Sequence, residues 1–169
     1  MSKPNRPRTD FTPRALAMLE VGVTLPVLTR AYRAAADQAV AHLGVSQALA
    51  WPLVMIGRHD GPVRSGELAE LLGIEPPSLV RPLDQLVNAG LVTRVADPED
   101  RRARLIDVTP LGAETCARIE DALKAMRDRL YAGLSDEDLA ACLRVFGALQ
   151  QQLGHARPVL PPQRPQGAD

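Results

Sequence analysis

The sequence predicts a mostly α-helical chain carrying one small β-hairpin, and three observations predict it. Apolar residues recur every three or four positions through most of residues 13–153. That period breaks once, after Gly90, where Leu91-Val92-Thr93-Arg94-Val95 and Arg104-Leu105-Ile106-Asp107-Val108 are rich in β-branched residues. Residues that cap or stop helices stand at the edges of the periodic segments.

Residues 1–12 read as a flexible basic arm and residues 156–169, ARPVLPPQRPQGAD, as a Pro-rich disordered tail. Between them, residues 13–155 read as a single domain. Its first helix spans about 13–43, with Leu16, Leu19, Val23, Val27, Ala31, Ala35 and Ala39 at helical spacing, Pro26 inside and Gly44 as the stop. Ser46 is the expected cap of a second helix that ends near Arg58, before Asp60-Gly61-Pro62. Ser65 is the expected cap of a short helix through Leu72, with Glu67 in its first turn. Gly73 breaks that helix, and another runs from Pro76 or Ser78 to Ala89, where Gly90 stops it.

Beyond the hairpin, whose link is ADPEDRRA, Thr109-Pro110 pairs a hydroxyl cap with Pro at the first helical position. Cys116, Ile119, Leu123, Met126 and Leu130 then form an apolar row. Ser135-Asp136-Glu137-Asp138 has the capping-box pattern of a last helix. Its row of Leu139, Cys142, Leu143, Phe146, Leu149 and Leu153 approaches a heptad seam, which packs on another helix.

With 169 residues, 46% of them hydrophobic, the chain can bury one real core, and at 3% aromatic content that core is built from Leu, Val, Ala and Ile. No apolar run approaches the roughly 20 residues of a bilayer span, and no apolar segment follows the basic N-terminus as a signal peptide would require. The expectation is a cytoplasmic protein without a membrane partner. Cys116 and Cys142 are expected to be small core residues. His42, His59 and His155 lack zinc-site spacing, so no metal is expected. There is no Gly-rich phosphate loop, nucleophile elbow or paired His and carboxylate, so neither a catalytic residue nor a cofactor is assigned.

The formal net charge is zero. The charges are not evenly spread: Arg94, Arg101, Arg102 and Arg104 crowd the hairpin, with Arg81 just before it, while Glu120, Asp121, Asp136, Glu137 and Asp138 fall in the later helices. A neutral total therefore conceals a candidate basic face.

Residues 65–109 combine these signals. Two short helices meet at Gly73, with small Ala69 four residues before it and Leu79 six after, as a helix-turn-helix requires. The second helix of such a unit enters a DNA major groove. Here Leu79, Leu83, Leu86 and Val87 form the inward stripe, leaving Ser78, Arg81, Asp84, Gln85 and Asn88 outward. Arg81 can make two hydrogen bonds to guanine and Gln85 two to adenine, Ser78 with the first free N–H groups can hold a phosphate, and Pro77 can touch a thymine methyl. The arginine-rich hairpin reads as a wing lying on the backbone, with a side chain in the minor groove. The full expectation is a winged helix-turn-helix over about 46–109, flanked by long dimerisation helices at about 13–43 and 110–154.

The segments LAELLGIEPPSLVRPLDQLVNAGLV (68–92) and DPEDRRARLIDVTPLG (97–112) resemble the MarR family of bacterial regulators, and within it the SlyA branch. The resemblance covers about residues 15–153. It implies a homodimer with intertwined terminal helices, pseudo-palindromic double-stranded operators and, in many members, release by small aromatic carboxylates. The family's wing motif, an Asp, any residue, then an Arg, falls on Asp100 and Arg102; Asp100 would clamp a nearby arginine, with Arg101 and Arg104 beside it on the DNA. An effector site between the dimer helices and the DNA-binding lobe would be lined by Trp51, Met55 and Pro82, although Trp51 as a plain core anchor is the favoured reading.

Pro82 departs from the family pattern. A helix starting at Pro76 would lose an interior hydrogen bond there; a helix capped by Ser78 would lose little, and that second reading, or a mild bend, is preferred. Two other classes compete. An enzyme lacks its constellation, and a winged-helix protein-interaction module without DNA binding would have no need of arginines on one face.

Overall fold

A computed structural model of the chain describes residues 11–100 and 103–154. Their elements are α1 (Pro13–Val40), one 3-10 turn (Ala41–Leu43), α2 (Gln47–Arg58), β1 (Val63–Arg64), α3 (Ser65–Leu72), α4 (Pro76–Asn88), β2 (Val92–Ala96), β3 (Arg104–Val108), α5 (Pro110–Leu130) and α6 (Asp136–Gln152). This is a mostly helical winged helix-turn-helix with a three-stranded antiparallel sheet and long helices at both ends. The expected basic arm and Pro-rich tail, with His155, Arg101 and Arg102, lie outside the described residues, apart from the last two positions of the arm.

The chain divides after Ala35 into two compact units. The first holds most of α1, whose apolar residues Leu16, Leu19, Val23, Val27 and Leu28 are all about half exposed or more. The expectation that no apolar stretch reaches membrane length is corrected here. The helix, continued through Leu43, is long and apolar enough to cross a bilayer by length and composition, and its most apolar stretch is nowhere buried. Few charges interrupt its outward residues, so a single face cannot account for all of its apolar character.

In the second unit α2 is the hub. It buries Leu53, Val54, Met55 and Ile56 and packs against α3, α4, α5 and β3. Ser46 stands at its N-cap position but makes no side-chain capping bond. The cap comes from Asp37, near the end of α1, whose Oδ1 accepts the Gln47 N–H at 2.7 Å. At the other end, Arg58 donates through Nε and Nη2 to Glu120 of α5 at 2.8 and 3.0 Å. Between these ends α2 and α5 approach closely. The Cys116 thiol donates to the Leu53 carbonyl at 3.3 Å, and a Cβ added to Gly57 would lie 2.8 Å from that sulfur.

The inner face of α5 buries Cys116, Ile119, Leu123 and Met126, and Leu130 is exposed. Its start is as the sequence predicts: the Thr109 hydroxyl accepts the Gly112 N–H at 2.9 Å and donates to the Gly90 carbonyl at 2.7 Å. The sheet has the order β1-β3-β2. Strand β3 has the predicted bounds and β2 begins one residue later than predicted. The two-residue β1, pairing Val63 with Ile106 and Arg64 with Leu105, is absent from the sequence reading. Helix α6 has its capping box, Ser135 with Asp138, but buries no residue of its own. Cys142 is therefore corrected from core to exposed, whereas Cys116 is buried.

Candidate nucleic-acid interface

The turn between α3 and α4 is set by Gly73, at φ 64°, a left-handed conformation that disfavours any side chain. The Ile74 N–H reaches the Ala69 carbonyl and the Gly73 N–H the Glu70 carbonyl, each at 3.0 Å, so the end of α3 is closed by a Schellman motif. Ala69 and Leu79 are both buried, giving the small residue and the apolar anchor that a steep helix crossing needs. Ser65 is the first residue of α3 and Arg64 its N-cap, one position earlier than expected.

Helix α4 starts at Pro76, with Glu75 at the N-cap. The preferred start at Ser78 is thus corrected. Pro76 and Pro77 occupy the first turn, where missing N–H groups have no intrahelical role, so the helix begins there without loss. Pro82 consequently lies in the helix interior and leaves the Ser78 carbonyl without an i+4 donor, yet the helix continues through it to Asn88. Leu79, Leu83 and Leu86 are buried. Pro77, Ser78, Val80, Arg81, Asp84, Gln85 and, as expected, Asn88 are exposed.

The ion pairs sort the arginines. Arg94 of β2 donates to Asp84 of α4 at 2.8 Å, tying the wing to the second helix of the motif. Arg64 donates through Nε to Asp97 Oδ2 at 2.6 Å and through Nη2 to Glu99 at 3.3 Å. Among the described residues, neither Arg81 nor Arg104 enters an ion pair, and both are exposed. Two basic side chains are therefore left without an acidic partner there, one on α4 and one at the base of the wing.

Sequence reasoning missed Asp97. It is 3% exposed, the one buried charged residue among those described. Besides Arg64 it accepts the Glu99 N–H at 2.8 Å. The Arg64 hydrogen bond, followed by the backbone N–H groups of the link, holds its carboxyl below the usual carboxylate range, and Asp97 in turn raises Arg64. Asp100 adds an attractive charge at Arg64, and its carbonyl accepts the Ala103 N–H at 2.9 Å. The only signal for Asp97 in the sequence was its place before Pro98 in a turn, where an Asx side chain bonds the backbone two residues on.

Of the expected effector residues, Met55 is fully buried, while Trp51 and Pro82 are half-buried. His59 caps the C-terminal end of α2 and bonds the Gly61 carbonyl at 3.0 Å and Glu67 at 3.1 Å. Burial, with Glu120 nearby, pushes the Cys116 thiol up to about 12, which makes it unreactive at neutral pH.

A helix-turn-helix whose second helix exposes Ser78, Arg81 and Gln85, followed by a β-wing, defines a DNA-binding protein of the winged-helix class. Residues 43–103 match the model of the MarR family. The crystal structure of transcriptional regulator PA3341 is 36% identical, with a TM-score of 0.72, and the match covers 80% of this chain and 99% of that one. The chain belongs to the MarR family of DNA-binding transcriptional regulators, a family of regulators and not of enzymes. Two more distant structures share the fold. A mutant of MarR from E. coli in complex with operator DNA is 22% identical, with a TM-score of 0.72 and coverage of 79% and 95%. CouR from Rhodococcus jostii RHA1 bound to p-coumaroyl-CoA is 21% identical, with a TM-score of 0.68 and coverage of 76% and 90%.

Proposed function

We propose that this chain is a cytoplasmic homodimer that binds pseudo-palindromic double-stranded DNA sequence-specifically and lies in the SlyA-like branch of its family. Helix α4 enters the major groove, where Arg81 and Gln85 read base edges, Pro77 meets a thymine methyl and Ser78 holds a phosphate. Arg101, Arg102 and Arg104 of the wing grip the backbone or minor groove, with Asp100 orienting them. The single observation that carries this reading is the exposed Arg81 on α4, outside every ion pair among the described residues, while the neighbouring Arg94 is neutralised by Asp84. A MarR mutant from E. coli, which shares this fold, is complexed with operator DNA, and that supports DNA as the partner here.

The apolar residues exposed on α6 and the near-heptad row they form support dimerisation through the terminal helices. The apolar surface of α1 is read in the same way, as covered by a second copy and not by lipid. The effector is a small aromatic acid or its derivative, seated beside Trp51, Met55 and Pro82; CouR with its p-coumaroyl thioester is the supporting relative.

The test is a selection of duplexes from a random pool, followed by titration at two salt concentrations. Arg81→Ala should weaken the selected duplex by ~1–3 kcal/mol and relax base preference at one position of each half-site. An unchanged selected motif would remove Arg81 from the major groove, and binding insensitive to salt would remove DNA as the partner.

A further inference from the structure

A buried carboxylate beside a surface that binds a polyanion is unfavourable on two counts: it has lost its water, and it repels phosphate. Asp97 stands in that position, 3% exposed at the base of the wing. Both of its oxygens are used. Oδ2 accepts from Arg64 at 2.6 Å and Oδ1 from the Glu99 N–H at 2.8 Å. Its own N–H bonds the Ala103 carbonyl at 3.3 Å, closing the link between β2 and β3 where it leaves the sheet.

The partner's location gives this geometry its meaning. Arg64 is the last residue of β1 and the N-cap of α3, the first helix of the helix-turn-helix. Strand β1 is only two residues long, and Arg64↔Leu105 is its last pair with β3. A two-residue pairing is a weak fastening by itself. The Arg64 side chain extends it, reaching Asp97 and Glu99 in the link that follows β2.

We infer that Asp97 is a positioning residue for DNA recognition: with Arg64 it latches the base of the wing to the start of the helix-turn-helix, so that wing arginines and α4 meet one duplex at a fixed spacing. The inference rests on the reading of α4 and the wing as the DNA-binding surface. Asp97 does not touch DNA; it acts through Arg64 and the wing backbone. Arg64 is in consequence a structural cation and not a phosphate ligand.

Charge makes the test a test of sign. If Asp97 mattered only as an acid near phosphate, Asp97→Asn would tighten binding to every duplex. A latch predicts the reverse for the specific site. The full chain is titrated with two fluorescent duplexes of equal length, one selected from a random pool by the unaltered protein and one unrelated. Glu75→Gln, which removes an exposed acid whose side chain makes no capping bond, is the charge control. It should tighten both duplexes about twofold. Asp97→Asn should weaken the selected duplex about tenfold while leaving the unrelated one as tight or tighter, because wing cations no longer held in register still attract phosphate but do not add to specific recognition. Its plot of log affinity against log salt should also become shallower by about one unit for each phosphate that the wing no longer neutralises, a readout that a drop in stability alone would not move.

Arg64→Lys keeps the charge but loses the planar donor set, and it should weaken the selected duplex in the same way; it decides the matter if Asp97→Asn does not fold. Asp97→Asn tightening like Glu75→Gln, or Arg64→Lys binding like the unaltered chain, would overturn the latch alone. Failure of the unaltered chain to select any duplex would overturn the DNA-binding surface and the latch with it.

Discussion

Helix α5 buries Cys116, Ile119, Leu123 and Met126 against its own chain, whereas α6 leaves Leu143, Phe146 and Leu149 exposed, with Leu153 just past its end, although both rows repeat every three or four residues. Neither amphipathicity nor capping distinguishes the two helices: each opens on a hydroxyl cap that accepts a backbone N–H. What differs is the neighbour. Helix α5 faces α2, which offers the small Gly57 and an arginine for Glu120. Among the described residues, helix α6 has no packed partner of comparable extent in its own unit. An apolar face reports that something covers it; the identity of the cover has to come from elsewhere, and here the proposed cover is a second copy of the chain.

The strongest way to break that comparison is to place charge on the α6 row. Phe146→Glu with Leu149→Glu should give a monomer by sedimentation. Without the second half-site, operator affinity should fall by about 10²–10⁴-fold. The two cysteines sharpen the result, because they mark the two rows. Cys142 should react with a thiol reagent faster in the monomeric variant than in the unaltered chain, while Cys116, buried and with its thiol pushed up to about 12, should stay inert in both. A dimeric double variant with intact DNA binding would remove α6 from the interface.

The next largest effect is expected on the other helix. Ile119 is fully buried, so Ile119→Ala should cost ~2–5 kcal/mol in denaturant unfolding, through reduced burial and the cavity left behind. Its cost should not vary with protein concentration, because its neighbours belong to the same chain. The cost of Leu143→Ala should grow as the protein is diluted if α6 is covered by a partner. Equal, concentration-independent costs at the two sites would mean that α6 is covered from within.

Much of this was legible in the sequence, and the exceptions share a cause. The inward stripe of α4, the bounds of β3, and the caps at Thr109 and Ser135 are local patterns, written within one or two helical turns. The misses are long-range. Strand β1 has two residues, too few to show alternation, and exists only because Val63 and Arg64 find β3 some forty residues on. Asp37 replaces Ser46 as the working cap of α2 because the chain folds back after Gly44. Asp97 sits in the charged link ADPEDRRA, and its ion-pair partner, Arg64, lies 33 positions earlier. At the interface, the outward residues of α4 could be read from its period, but the commitment of Arg94 to Asp84 could not, since it is fixed by the approach of β2 to α4.

A smaller effect tests the caps. The Thr109 hydroxyl is uncharged; it accepts the Gly112 N–H and donates to the Gly90 carbonyl at 2.7 Å, with the Leu91 carbonyl a second acceptor at 3.3 Å, so Thr109→Ala should cost ~1 kcal/mol irrespective of pH, measured by thermal unfolding in acidic and neutral buffers.

The cap of α6 should behave differently, because half of it is a carboxylate. Asp138 accepts from the Ser135 hydroxyl at 2.8 Å and from the Ser135 N–H at 3.1 Å. Those two bonds, the hydroxyl first, hold its carboxyl below the usual range. A carboxylate depressed in the folded state stabilises fully above its unfolded value of about 3.9 and loses that stabilisation as pH falls through the lower folded value. Asp138→Asn should therefore lower the melting temperature slightly and by a constant amount from about pH 8 to about pH 5, and the gap to the unaltered chain should close on further acidification. The effect is small because the pair is exposed and water competes for both groups. A gap that persists unchanged well below the usual carboxylate range would mean that the Asp138 side chain acts through shape and neutral hydrogen bonding, and the two helix starts would then be equivalent despite their different chemistry.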